Sequence, residues 1–364
     1  MNNLQPHKKI LDIAPYVPGE SKIPGIEKPI KLSSNEGALG PSPKAINAYK
    51  SLSEQLHRYP DGGADELRNS LGNGYNLPAN QIVCGAGSDE ILGLLAKAYA
   101  GPGDEILFGE HAFVMYPIFA LAAGATPVKA KETKFTISID SILDNVTPKT
   151  RIVYIANPNN PTGTMVTEEE MQRLRAELRQ DILLVIDAAY AEYVTRSDYS
   201  SGKTLVDQSN NVVMTRTFSK IYALGALRLG WAYCPQSITD VLHRIRPPFN
   251  VNSAAQSAGI ASIEDVDFMI KSRNHNEKWR IWLSRQLEEA GLKVVSGVAN
   301  FVLVIFSRTK GQSAGDAMNF LAAKGIIIRS TASAGIPDGI RITIGTEEEM
   351  RITAATLREF VETK

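Results

Sequence analysis

The sequence predicts an α/β protein built on a largely parallel sheet covered on both faces, and three observations predict it. From Gln81 to Arg216, short apolar runs of strand length alternate with helical stretches, the pattern of a buried parallel sheet. Polar clusters fall just after several of those runs, where open α/β sheets bind their ligands. Beyond Pro247-Pro248 the pattern changes to a second, smaller α/β unit.

The elements follow in order. Residues 1–30 carry Ala14-Pro15-Tyr16-Val17-Pro18-Gly19 and Ile23-Pro24-Gly25, which favours an extended arm over a helix. Lys31-Leu32-Ser33-Ser34-Asn35-Glu36 is a short strand entering a turn, residues 43–56 and 64–71 are helical, and Arg58-Tyr59-Pro60-Asp61-Gly62-Gly63 is a loop. A strand over 81–84 runs into Gly85-Ala86-Gly87-Ser88-Asp89-Glu90 and a helix over 91–99, with Ser88 as the expected N-cap. Strand, glycine turn and helix start together offer backbone N–H groups to a phosphate. A dinucleotide fingerprint is a poor match, because Glu90 occupies its third glycine position. Further strands are expected over 104–108, 126–130, 151–156, 182–186 and 212–216, with helices over 113–123 and 167–179. Thr167 and Glu170 make a capping box for the second of these. In the second unit, helices are expected over 252–263, 266–290, 314–324 and 347–361, and strands over 301–306, 326–329 and 340–344.

Composition narrows the function. With 364 residues, 43% hydrophobic and 21% charged, the chain has the balance of a globular protein with a sizeable core. Lys+Arg and Asp+Glu both number 39, so no net charge draws nucleic acid or an anionic membrane. Two cysteines, Cys84 and Cys234, make no disulfide framework and fit a reducing cytoplasm. Met1-Asn2-Asn3-Leu4-Gln5-Pro6-His7-Lys8-Lys9 lacks the apolar run of a signal peptide, and no stretch has the length of a membrane span. The five histidines show no metal-ligand spacing, so no metal site is expected.

Four clusters carry the chemistry: Asn157-Pro158-Asn159-Asn160-Pro161-Thr162-Gly163, Asp187-Ala188-Ala189-Tyr190, Thr217-Phe218-Ser219-Lys220 and Arg228-Leu229-Gly230-Trp231. Taken singly, the first is a turn, Asp187 a helix cap, Ser219-Lys220 a surface pair and Arg228 a solvated charge. Taken together, in this order on consecutive strand ends, they make coincidence improbable. A lysine in a structured pocket can bond to an aldehyde, and neighbouring hydroxyls can hold a phosphate.

Together the clusters resemble the pyridoxal-phosphate site of fold-type-I aminotransferases, over nearly the whole chain. Within that superfamily the chain looks most like the histidinol-phosphate aminotransferase family, on Pro15-Tyr16-Val17-Pro18-Gly19, Leu32-Ser33-Ser34-Asn35-Glu36, Arg58-Tyr59-Pro60, Gly87-Ser88-Asp89-Glu90 and Arg341-Ile342-Thr343-Ile344-Gly345-Thr346. The resemblance implies a large domain over 31–246 with a mainly parallel seven-stranded sheet. It implies a smaller α/β domain over 247–364 to which the arm, 1–30, returns. It implies Lys220 as the residue that bonds to pyridoxal 5'-phosphate and moves the substrate's proton, with Asp187 pairing the pyridine nitrogen. Asn160 and Tyr190 would hydrogen-bond the ring's phenolic oxygen, and Tyr116 would stack on the ring. Gly87, Ser88, Thr217, Ser219 and Arg228 would hold the phosphate, with Asp89 also among the cofactor-binding residues. Tyr59 would reach the cofactor phosphate of a second subunit, which implies a homodimer with shared sites. Tyr16, Asn35, Arg329 and Arg341 would bind the amino donor and the 2-oxo acceptor in turn.

Two stretches depart from the family pattern. Ala334 stands in Ser333-Ala334-Gly335-Ile336-Pro337 where a tyrosine is usual, and Ala223-Leu224-Gly225-Ala226 replaces the usual Gly-Leu-Ala-Gly after the lysine. The expected reaction exchanges the amine of L-histidinol phosphate with 2-oxoglutarate in histidine biosynthesis. An aromatic amino acid transaminase is the nearest alternative, since a pocket for imidazole also admits phenyl. A threonine-phosphate decarboxylase on the same fold is a further one. A DNA-binding regulator lacks a basic segment, and a nicotinamide dehydrogenase lacks its fingerprint.

Overall fold

The computed structural model describes residues 4–363; Met1, Asn2 and Asn3 of the expected arm, and Lys364, lie outside the described residues. Its centre is a seven-stranded sheet of β1 (Ile82–Gly85), β2 (Glu105–Gly109), β3 (Thr126–Ala130), β4 (Thr150–Ala156), β5 (Leu183–Asp187), β6 (Val212–Thr217) and β7 (Gly230–Tyr233). The order across the sheet is β1-β7-β6-β5-β4-β2-β3. All neighbours are parallel except β7, which runs antiparallel to both β1 and β6.

The strands form because they are apolar on both faces. In β4, Ile152 and Tyr154 pack into the core on one side while Val153 and Ile155 pack into the core on the other, the alternation a strand imposes. Parallel pairing then brings the polar strand ends to one edge. Ala156 lies level with Asp187, and Asp187 with Thr215. The sequence analysis did not recognise β7 as a strand; its four residues are buried, and Trp231 is 1% exposed.

The smaller unit is a four-stranded antiparallel sheet in the order Lys293–Val295, Phe301–Ile305, Gly339–Thr343, Arg329–Ser330. Helices Val266–Glu289, Ala314–Ala323 and Glu347–Glu362 share its core through Leu283, Leu321 and Leu357. The single strand expected over 326–329 is divided. Ile326–Ile327 pairs in parallel with Ile30–Lys31, while Arg329–Ser330 pairs with Gly339–Thr343.

Packing also moves the expected domain boundaries. Leu32, placed by sequence in the large domain, is 1% exposed in the core of the small unit, because its strand is paired there. Helix Ser253–Ile263, placed in the small domain, buries Ala255, Ala258 and Ile263 in the large core. The described part of the arm is extended apart from a 3-10 turn, Lys8–Asp12, and a tight turn in which Ile26 N–H donates to the Ile23 carbonyl at 3.1 Å. It is tied across the small unit where Arg329 Nη2 donates to the Val17 carbonyl at 2.9 Å and Ser33 Oγ to that of Glu20 at 2.8 Å. No helix among the described residues is long and apolar enough to cross a membrane.

Candidate active site

The strand-end residues line one cavity of about 280 Å³, which includes Ser34, Ser88, Asp89, Phe113, Asn160, Asp187, Tyr190, Thr217, Ser219, Lys220 and Arg228. A second cavity of about 130 Å³ adjoins it through Ser34, Phe113, Asn160 and Lys220, and is walled by Tyr16, Asn35, Arg329 and Arg341.

Asp187 ends β5 and is buried. Tyr116 donates to its Oδ2 at 2.8 Å and Thr215 to its Oδ1 at 3.2 Å. Burial pushes the carboxyl up to about 6, against the Tyr116 and Thr215 hydrogen bonds. A cationic ring nitrogen placed against it would restore the charged form.

Lys220 follows β6 on a loop closed by Ala223 N–H to the Lys220 carbonyl and Leu224 N–H to that of Phe218, both 3.0 Å. Its Nζ donates to the Ser34 carbonyl at 3.3 Å and lies 5.9 Å from the Tyr190 ring centre. Burial brings the ammonium down to about 8, and Arg341 reinforces this. An amine of this kind is largely neutral in mildly alkaline water, the form that attacks a carbonyl.

The helix Ser88–Tyr99 opens the phosphate-sized end. The structure corrects the expected cap. Ser88 is the first helical residue, and Gly87, at φ +87, is the N-cap with no side-chain hydrogen bond. That left-handed turn suits glycine, and it leaves the first helical N–H groups without intrahelical acceptors. A Cβ on Gly87 would strike the Arg228 guanidinium, and one on Gly230 would strike the Ser88 nitrogen. Both positions must therefore lack a side chain for Arg228 and the strand Gly230–Tyr233 to approach the helix start so closely. Around it, Arg228 Nη1 lies 3.4 Å from Ser219 Oγ, Arg228 Nη2 3.4 Å from Asp89 Oδ2, and Ser219 N–H donates to Thr217 Oγ1 at 3.1 Å. Burial raises the Asp89 carboxyl, opposed by Arg228 and Lys220.

Tyr190 is buried, and Asn35 Nδ2 donates to its hydroxyl at 2.9 Å. Arg341 is buried too: Nη1 donates to Asn160 Oδ1 at 2.6 Å, Nη2 to the Ser33 carbonyl at 2.9 Å, and Nε has no partner. Burial lowers its guanidinium to about 10, with Tyr190 opposing and Arg329 adding to the fall. An unsatisfied buried guanidinium N–H beside a second arginine is a site prepared for an anion.

Two expected residues stand elsewhere. Tyr116 does not face the cavity. It is fully buried, stacked on Tyr154 at 4.8 Å, and reaches the site only through its bond to Asp187. Phe113, which does line the cavity alongside Tyr190, was missed by sequence reasoning; it precedes helix Met115–Ala122, and the helix was expected to start there. Tyr59 lies outside both cavities, 82% exposed and stacked on Phe249 at 4.7 Å. Thr215 was also missed, although it lies two residues before Thr217 on the same face of β6.

The donor set fits pyridoxal 5'-phosphate. A helix start lining the cavity beside Thr217, Ser219 and Arg228 suits a phosphate, a buried carboxyl suits a ring cation, and a lysine of lowered basicity suits an aldehyde. Fold and site together define a pyridoxal-phosphate-dependent transferase of fold type I.

The comparisons agree. The family model "Aminotransferase class I and II" matches residues 27–357. The histidinol-phosphate aminotransferase of Paramagnetospirillum magneticum is 56% identical over 356 residues, 98% of each chain. That of Rhodospirillum centenum is 51% identical over the same share of each chain. In fold, the chain is similar to the Sinorhizobium meliloti histidinol-phosphate aminotransferase, solved in complex with pyridoxal-5'-phosphate, at 24% identity, a TM-score of 0.90 and 99% coverage of each chain. The chain belongs to the class I and II aminotransferases and, within them, to the histidinol-phosphate aminotransferase family.

Proposed function

We propose that this enzyme transfers the amine of L-histidinol phosphate to 2-oxoglutarate, giving imidazole acetol phosphate and L-glutamate, as a step of histidine biosynthesis in the cytoplasm. The observation that carries the reading is the paired Arg329 and Arg341 in the cavity next to Lys220. They offer one anion site that serves the phosphate of one substrate and a carboxylate of the other. The buried thiols of Cys84 and Cys234, both free, are consistent with a reducing compartment.

Pyridoxal phosphate supplies an aldehyde that takes up the amino group and a ring that accepts electrons as the α-proton leaves. The residues of the chain do the rest. Asp187 holds a positive charge at the ring nitrogen. Asn160 and Tyr190 would hydrogen-bond the phenolic oxygen, and Phe113 would lie against the ring. The Ser88–Asp89 helix start, Thr217, Ser219 and Arg228 anchor the phosphate. Lys220 Nζ would carry the proton from the substrate's α-carbon to C4′ of the cofactor, and back in the second half-reaction. Arg341, Arg329, Asn35 and Tyr16 orient the substrate and help exclude water. Tyr59, projecting from the surface beside Phe249, serves the site of a second copy, so the enzyme works as a homodimer.

The test is a half-reaction. Addition of histidinol phosphate to the purified holoenzyme should convert the visible band of the bound cofactor to the near-ultraviolet band of its aminated form. Lys220→Ala should abolish turnover, and a Lys220→Ala protein of unchanged turnover would sink the assignment. A second reading, aromatic amino acid transamination, has one observation in its favour. The arginine-lined cavity shares Tyr16, Val114, Arg329, Ser330 and Ser333 with an apolar cavity of about 640 Å³ under the arm. Conversion by phenylalanine and not by histidinol phosphate would select it.

A further inference from the structure

Behind the lysine loop lies a buried ion pair that the proposed chemistry does not use. Arg216 Nη2 meets Glu192 Oε1 at 2.7 Å, and Arg216 Nε donates to the same oxygen at 3.2 Å; both side chains are under a tenth exposed. Arg216 points to the opposite face of β6 from Thr215 and Thr217, which face the cofactor cavity. Its guanidinium lies over the Tyr75 ring at 4.8 Å and the Trp231 ring at 5.7 Å.

The pair has a third member and a fourth. Tyr75 donates to Glu192 Oε1 at 3.2 Å and sits 2.6 Å from the Tyr222 hydroxyl. With the single Tyr75 proton on the carboxylate, Tyr222 is the donor of the second bond. Burial pushes both phenols up, and the Glu192 charge adds to it, so both remain neutral donors.

The topology of these contacts is specific. Arg216, in β6, lies four residues before Lys220 and Tyr222 two residues after it, while Glu192 sits two residues past Tyr190 on the 3-10 turn Ala191–Tyr193. One carboxylate oxygen therefore ties both flanks of the lysine loop to the segment that carries Tyr190. A buried ion pair is weak evidence for stability in itself, and here Glu192 Oε2 is left without a hydrogen-bond partner. Hydrophobic side chains would fill this space at less cost. What they would lack is direction.

We propose that Glu192 is a positioning residue which, through Arg216, Tyr75 and Tyr222, fixes the Lys220 amine relative to Tyr190. The inference rests on Lys220 being the reactive amine, as proposed above. The charged groups that act on Lys220 are Arg341, Asp89, Glu36 and Arg228, all outside this network. A changed proton affinity in a variant of the network thus reports a moved amine and not a lost charge.

The experiment uses Tyr222→Phe and Tyr75→Phe, which remove one hydroxyl each and keep the ring, beside Glu192→Gln. In the cofactor-free protein, acetylation of Lys220 by acetic anhydride is followed against pH by mass spectrometry. In the holoenzyme, kcat and KM are measured. The Tyr→Phe variants should move the labelling midpoint upward by about half a pH unit or more. They should lower kcat about tenfold with KM within about twofold. A fall in Tm with the labelling midpoint and kcat unchanged would overturn the inference and leave the network a structural one. Should Glu192→Gln fail to fold, the two Tyr→Phe variants decide the matter. Full turnover by Lys220→Ala would instead remove the reading on which the inference rests, so the two failures are told apart.

Discussion

Asp187 and Tyr116 show how one side chain can set the working range of another without touching the ligand. The Tyr116 hydroxyl is the first force holding the Asp187 carboxyl below the value that burial alone would give it. Tyr116→Phe removes that bond and raises the Asp187 pKa further above about 6. A protonated carboxyl cannot pair a ring cation, so cofactor affinity should be lost at higher pH in the variant as the solution is acidified. Titrating cofactor binding by its visible band across the acid limb checks this; an unmoved limb would remove Tyr116 from the role. Ala223 is a second case. It takes φ +54 in the lysine loop, and a Cβ on Gly37 would meet its Cβ at 2.8 Å. The strain of a left-handed alanine is about 1 kcal/mol or somewhat more, partly offset by the greater freedom glycine has when unfolded. Ala223→Gly should therefore raise stability by up to about 1 kcal/mol in urea unfolding with turnover retained.

Among the elements, the hairpin of Glu132–Thr133 and Thr136–Ile137 carries an unusual carboxyl. Glu132 Oε1 accepts from the His111 N–H at 3.3 Å, and Oε2 is buried without a partner. Burial pushes the group up to about 7, with the His111 N–H opposing and Glu110 adding. The sign follows from the unfolded state, where the carboxyl ionises near the usual 4.3. The folded chain binds the extra proton between those values, so this contribution is complete below the unfolded value and is lost as pH rises through about 7. Wild-type urea midpoints should fall between about pH 5 and pH 8, and Glu132→Gln should flatten that fall. Equal slopes would count against it.

The same scale shows what could be read in advance. The strands of the large sheet were legible because burial on both faces demands unbroken apolar runs. The phosphate hollow was legible because glycine, serine and a helix start leave a local signature. The aromatic facing the ring was not. Phe113 and Tyr116 are three residues apart, and the placement of the helix start decides which faces the cavity. Val114, the N-cap, makes no side-chain cap bond to mark that start. The pairing of Ile30–Lys31 with Ile326–Ile327 was equally hidden, since parallel strands distant in sequence share no local pattern.

For the whole molecule, Tyr59, Leu56 and Phe249 are large apolar or aromatic side chains left exposed, and the homodimer proposed above would cover them. Sedimentation should give twice the chain mass. Co-purified mixed dimers of Lys220→Ala and Tyr59→Ala chains should regain activity, because one of their two sites then has both an intact lysine and an intact tyrosine. Mixed dimers with no more activity than either parent would show that the sites are not shared.

The strand pairing at Ile30–Lys31 has a further consequence, in the timing of synthesis. That strand leaves the ribosome before the large sheet, and its partner, Ile326–Ile327, leaves after it. Asn35 likewise waits for Thr343, whose Oγ1 accepts from the Asn35 backbone N–H at 3.0 Å, and for Asn300, whose Nδ2 donates to the Asn35 carbonyl at 3.0 Å. The large sheet can form while translation proceeds, since its seven strands are complete by Tyr233. The wall made by Ser33, Ser34 and Asn35 can close only once Asn300, Ile326–Ile327 and Thr343 have followed. A nascent enzyme should therefore hold its lysine and its phosphate hollow before it has anywhere to seat a substrate.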